Sequence, residues 1–560
     1  MTAATTLHPA TDTPDKTKPC GVQRHLGLTA LVVIALLTIF SAGTAQAQAL
    51  FWDGATTSAD ADGGTGTWDT TTFNWDTAAT GGADTTWSNA IPNSAIFGGT
   101  AGTVTLGEAI TADSLQFDTT GYIVTGNILT LSGNSTVTAN QDAEIQSVVD
   151  GTSGLTKAGA GILTLSGTNT YTGTTTIDAG TLEIGGAGTL GSGTYAGTIA
   201  NNGILEFNSS ATQTLNGVIS GTGALILNGS GQLNLSVNNS FTGGVTVNDG
   251  ILGLQNGGIG ANGPLTVNGG LVSASIHDSF DNLAVSELSG SGGLIEASRR
   301  TFTVNQATNT TYAGVIQDLN GTVSSGNGTV FTKSGIGTLT LSGDNTYSKT
   351  TNVNGGTLEV SGALYSAGTN GVSSNINVGA AGTLDFTGAG FLGSGAVFDG
   401  NIANSGTFNY NSTTDQELSG IISGAGVLTK DNTSTLTLSG ANSYTGDTTI
   451  TAGTLQLDGS LTSDVTVASG ANLDGEGSTT GALVFSGTTH TINADVDTAA
   501  ALGSTTSTDV SALNVGGFIV NVTGSATGAQ EILHYGTTFT GAVDRFVAGS
   551  GVSARGAGGF

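Results

Sequence analysis

Carboxylates are the commonest groups with chemistry to offer in this chain, 40 Asp and Glu against 11 Lys and Arg. The aspartate pairs two residues apart are Asp60-Ala61-Asp62-Gly63-Gly64 and Asp495-Val496-Asp497. Two carboxylates on one turn can ligate a hard cation such as Ca²⁺, or, with converging partners, act as acid and base on a polysaccharide. Neither run follows the EF-hand loop or the nonapeptide calcium repeat, so Asp60 and Asp62 are only weak metal candidates, with a plain polar turn as the alternative. His277, His490 and His534 stand apart without an HExxH pattern, and the one cysteine is Cys20, so a zinc site has no support. There is no GxSxG elbow and no phosphate-binding GxxxxGK[ST]. The doublet Arg299-Arg300 is either a processing site or an exposed loop. No catalytic residue and no cofactor is assigned.

The first 49 residues read as a cleaved signal peptide. Lys16, Lys18 and Arg24 form a basic region, Leu28 to Phe40 an apolar one, and Ala45-Gln46-Ala47 or Ala47-Gln48-Ala49 a small-residue cleavage site. Removal takes the only Cys and the only Met with it, so disulfides are excluded from the mature chain. It leaves 8 basic residues against 38 acidic ones, since three of the 11 and two of the 40 lie in the leader. Such a surface repels phosphate backbones and excludes nucleic acid as a partner. Gly supplies 92 residues and charged types only 9%. The apolar residues alternate with Thr, Ser and Asn, the pattern of many short strands joined by tight turns.

What must position any side chain here is a repeat. Residues 155–186, LTKAGAGILTLSGTNTYTGTTTIDAGTLEIGG, match 331–362, FTKSGIGTLTLSGDNTYSKTTNVNGGTLEVSG, at an offset of 176. The stretch from Ser192 to Leu252 matches that from Ser394 to Leu455 at an offset of 202 at its start and 203 from Gly197 onward, so the second unit carries an insertion near 363–393. Within each repeat, leucines recur 19 residues apart: Leu163 and Leu182, Leu233 and Leu252, Leu339 and Leu358, Leu436 and Leu455. Alternate side chains of a strand share a face, so one coil of about 19 residues would stack these leucines into apolar ladders, with Thr and Glu facing water. The turn GTNTYTG at 167–173 recurs at 343–349 and 440–446, with Gly and Asn expected to supply left-handed corners. Tyr171, Tyr347 and Tyr444, with Phe241 in a degenerate copy, form either a stacked aromatic ladder or a sugar-binding platform.

These motifs, GxLTLSGxNxYxGxTTI followed by GTLxL, resemble the autotransporter-associated β-strand repeat of bacterial passenger regions. Clear copies occupy 154–186, 331–362 and 426–459, and a degenerate one 221–256. The Trp-bearing segments FWDG, GTWD, FNWD and TTWSN resemble the N-terminal part of such proteins, and EILHYGTTFTGAVDRF (531–546) the closing passenger region. The resemblance implies an all-β protein, a right-handed parallel β-helix; a self-transporting member would continue into a C-terminal barrel, which is not expected within this sequence. The expected divisions are a signal peptide at 1–49, a Trp-rich cap and first strands at 50–131, the β-helix at 132–530 and a C-terminal cap or tail at 531–560. It also implies an outer-membrane translocator in cis or in trans, and a place at the cell surface or outside the cell. Adhesion or structural display to host, matrix, glycans or other cells, without catalysis, is the expected role. A polysaccharide-acting enzyme and a truncated passenger are the alternatives.

Overall fold

The computed structural model describes residues 47–54, 60–255, 259, 263–274, 282–297, 299–319, 328–365, 374–475, 477–481, 483–487, 490–495, 512–515 and 518–523. The leader through residue 46, His277, Asp497, His534 and the segment 531–546 lie outside them, as do the side chains of His490 and Asp495.

Short alternating segments form the strands that the pattern predicts. In Ile162–Leu165, Leu163 and Leu165 point inward and are buried, while Ile162 and Thr164 are partly exposed. Stacked on this strand is Thr181–Gly186, parallel, with Leu163 opposite Leu182 and Leu165 opposite Ile184. The same 19-residue step pairs Leu233 with Leu252, Leu339 with Leu358 and Leu436 with Leu455. On the adjoining face the step is 20: Leu155 lies opposite Thr175 and Lys157 opposite Ile177. The chain is therefore a parallel β-solenoid of about 18 turns, with a 3-10 turn at Gly191–Gly193.

The first half winds through three sheets of 11, 11 and 7 strands, and the second through sheets of 15 and 7. Each coil adds its own increment of core. The coil from Thr175 to Thr198 buries Ile177, Leu182, Ile184, Leu190 and Tyr195. At about 1.5–3 kcal/mol for each fully buried large apolar side chain, stability accumulates coil by coil along the axis.

The copies do not occupy the same faces. Leu155–Ala158 lies in the first 11-stranded sheet and Ile162–Leu165 in the second. The corresponding strands of the next copy, Ala224–Leu227 and Gln232–Leu235, lie in that second sheet and in the 7-stranded one. The 27-residue insertion is one extra coil. The strand Ile376–Phe386 lies between Thr351–Val360 on one side and Ile402–Asn404 with Thr407–Tyr410 on the other. Residues 374–393 are thus mostly solenoid wall.

At the N-terminal end, Ala49–Trp52 pairs antiparallel with Trp75–Asp76, which pairs antiparallel with Asp84–Thr85. The other edge of Ala49–Trp52 runs parallel to Ser94–Phe97 and so joins the solenoid. Trp52, Trp68, Trp75 and Trp87 are all buried against one another, with neighbouring rings 4.7–5.0 Å apart. The antiparallel strands turn the first coil away from open parallel edges, which otherwise invite intermolecular pairing.

Candidate functional site

The recurring polar residues of the repeat meet at two corners of the coil. At the first, Asn169 is fully buried. Its Oδ1 accepts the Val149 N–H of the preceding coil at 3.0 Å, and its Nδ2 donates to Gly167 O at 2.9 Å and Thr189 O at 3.1 Å. Its own N–H donates to Thr189 O in the following coil. Asn239, Asn345 and Asn442 repeat this: their Oδ1 atoms accept the N–H groups of Ile219 (2.7 Å), Ile316 (3.0 Å) and Ile422 (2.9 Å). The coil below has no strand above it at this corner, and the amide supplies the missing partner. The sequence pattern predicts a left-handed backbone at these Asn. None of the four has positive φ. Their corner glycines are required by close approach instead: a Cβ at Gly173 would stand 2.3 Å from Gly154 N. The left-handed glycine is a different one, Gly180, Gly250, Gly356 and Gly453, with φ between 59° and 69°.

The corner tyrosines are buried and form no exposed platform. Tyr171, Tyr347 and Tyr444 bond through their hydroxyls to Thr175 (3.0 Å), Thr351 (2.7 Å) and Thr448 (2.6 Å). Burial pushes the phenols up, Tyr444 to about 12. They also do not stack into one ladder. Tyr171 meets the ring of Tyr195 and Tyr347 that of Phe331. The three threonines point inward, against the expectation that Thr faces water, because the phenol satisfies each hydroxyl. In the degenerate copy the pair becomes Phe241 and Val245, both buried, so both hydroxyls vanish together and neither is left unpaired. That paired change is the signal in the sequence that could have placed these residues inside.

At the second corner lies a buried lysine that spacing alone does not single out. Lys157 Nζ donates to Ala158 O (3.0 Å), Gly159 O (2.8 Å) and Ala179 O (3.0 Å). Lys333 does the same with Ser334, Gly335 and Gly355, and Lys430 with Asp431, Asn432 and Ala452. Loss of water around the ammonium lowers each pKa to about 8, while three carbonyl acceptors hold the charged form. In the degenerate copy Leu227, buried, takes the place of the lysine.

Of the sequence's weak metal candidates, Asp60 accepts the Gly81 N–H at 3.0 Å, and the Asp62 N–H donates to Asp53 Oδ1 at 3.1 Å. Among the described residues no three His, Cys, Asp or Glu stand close enough to hold an ion. Arg299 is exposed in a turn with φ of 66°, but Arg300 is buried, so the doublet is not presented as an extended basic pair. Two carboxylate pairs that spacing did not reveal stand on adjacent coils, Glu183 opposite Glu206 and Glu359 opposite Asp385. Partial burial, then the Glu359 charge, raises the Asp385 pKa.

The regular features of this chain are thus coil-to-coil fasteners, repeated in register with a recognisable sequence unit. A family model, the passenger-associated transport repeat, matches residues 155–184, 220–254, 331–360 and 428–457. Those four stretches are the ones that carry the Asn corner and the 19-residue Leu step. The chain is an autotransporter passenger-like repeat protein. It is similar to the adhesin BmaC autotransporter of Brucella suis biovar 1 (strain 1330), 32% identical over 576 aligned positions that cover 88% of this chain. It spans 16% of that relative's length. A shorter likeness, 48% over 56 residues, links 10% of the chain to 5% of an extracellular serine protease of Serratia marcescens. Within this passenger-like chain the degenerate 220–254 copy is a full repeat, its lysine and hydroxyl pair replaced by apolar residues.

Proposed function

We propose that this passenger-like solenoid is exported and acts at the cell surface or outside the cell as a non-enzymatic adhesive rod. The observation that carries the reading is where the repeated residues go. The motif's Asn, Tyr, Thr and Lys are spent on joining coils, which leaves the outward Thr, Ser, Asn and Glu of each coil as the variable contact surface. The similarity to an adhesin supports the same role. Its partners would be glycans, matrix or other cells, with an outer-membrane translocator supplied in cis or in trans. The test is binding of the purified chain to cells and to immobilised matrix and glycan panels, with a monomeric, rod-like frictional ratio. No binding to any of these surfaces would overturn adhesion.

A second reading, action on a polysaccharide, is favoured by one feature: Glu359 and Asp385 face each other across adjacent coils, with Asp385 held toward its protonated form. Product release from a neutral or acidic glycan, lost in Asp385→Asn and kept in Asp60→Ala/Asp62→Ala, would promote it. Absence of any product removes it.

A further inference from the structure

The cap is rich in acidic residues. Between Arg24 and Lys157 the sequence has no Lys or Arg, while Asp53, Asp60, Asp62, Asp69, Asp76 and Asp84 fall within the Trp-rich segment. Asp76 is the anomaly among them. It is fully buried, and neither carboxylate oxygen has a hydrogen-bond donor. In the antiparallel sheet it sits directly opposite Asp84 on one side and Phe51 on the other. Asp53 and Asp60 also face it, and among the described residues no positive group does. Two ionised carboxylates directly opposite on a sheet repel, and a buried one with no donor is worse placed still. One proton between them supplies the donor that Asp76 lacks.

We propose that Asp76 and Asp84 share a proton, and that this proton is the latch that holds the N-terminal cap closed in acid and lets it loosen toward neutral pH. Burial, then the charges of Asp53 and Asp84, raises the Asp76 pKa from 3.8 to about 6. The folded cap therefore holds the proton more tightly than the open one. Its contribution is fully present below the ordinary carboxylate range and is lost as pH rises through about 6. An affinity change of this size corresponds to a roughly 100-fold change in the opening equilibrium of the cap.

All four tryptophans of the chain lie in the cap, so intrinsic fluorescence reports on it alone. Acrylamide quenching of the purified chain is expected to be low at about pH 4.5 and to rise with a midpoint near pH 6, while far-UV circular dichroism, dominated by the solenoid, stays constant. Asp76→Asn should flatten the profile and keep the rings protected at neutral pH. Asp84→Asn, which sets a permanent amide donor beside Asp76, should do the same and decides the matter if the first variant leaves the cap open at every pH. A flat wild-type profile, or an unchanged profile in Asp84→Asn, would overturn the proposal. So would millimolar Ca²⁺ closing the wild-type cap at neutral pH, because a cation and not a proton would then occupy the pair.

Discussion

Replacing Asn169 by Ala removes one acceptor and two donors from a fully buried site. The Val149 N–H loses its partner outright, at roughly 1–3 kcal/mol for a buried unsatisfied donor, and the bonds to Gly167 O and Thr189 O contribute about 0.5–1.5 kcal/mol each. Allowing for partial rehydration of the shortened corner, the local penalty is about 2–4 kcal/mol, or roughly 30- to 1000-fold in an opening equilibrium. A solenoid concentrates such a loss near its origin, since each coil touches only its neighbours. Hydrogen exchange read amide by amide is therefore the assay. Val149 should exchange faster by that factor in Asn169→Ala, while Ile199, whose N–H donates to Val218 O two coils on, should hardly change. Asn169→Asp keeps an acceptor for Val149 and should show a smaller effect there. Equal acceleration at both amides, or none at Val149, would refute the idea that the side chain substitutes for a missing strand.

The same corners set the response to other perturbations. Because the folded lysines sit near pKa 8 and their ordinary value is 10.5, the unfolded chain holds more protons between those limits. Melting temperature should accordingly rise from about pH 8 to about pH 9.5, before the raised phenols reverse the trend, and the triple change of Lys157, Lys333 and Lys430 to Leu should abolish that rise. The same triple variant should be no less stable at neutral pH, since Leu227 already fills the position in one copy; a loss of several kcal/mol by denaturant titration would contradict this. Gly453→Ala places a Cβ 2.2 Å from Asn432 O at a φ of 69°, and should cost at least about 2 kcal/mol, seen as local exchange around Thr454. Tyr444→Phe leaves Thr448 its bond to Ser463, so a loss of about 1 kcal/mol and unchanged glycan binding are expected.

The fold was legible because its rule is one-dimensional. A 19-residue step between leucines on alternating strands admits one stacking, and Leu163 lies over Leu182 as that step requires. The aromatic cluster at the N-terminal end showed in the sequence as four Trp within 36 residues, and they pack together there as part of the continuous solenoid core. What escaped was the orientation of polar residues inside the repeat. Lys157, Thr175 and Asn169 carry the types that ordinarily face water or make turns, and their burial depends on carbonyls and hydroxyls contributed by coils about 20 residues away. Spacing within one copy cannot show that, although comparison with the degenerate copy could have. The pairing of Glu359 with Asp385 escaped because the extra coil breaks the regular step, setting them 26 residues apart.

The shift of consecutive copies from one pair of faces to the next bears on how such a chain changes length. If a strand pair can seat on either of two neighbouring walls, gain or loss of genetic material need not come in whole revolutions. A fragment worth one side of the shaft can be added and the later sequence simply rotates about the axis, hydrophobic row still meeting hydrophobic row. Side-wall decorations downstream would then turn to a new bearing without any change in their own sequence, which gives a surface filament a cheap way to vary what it presents.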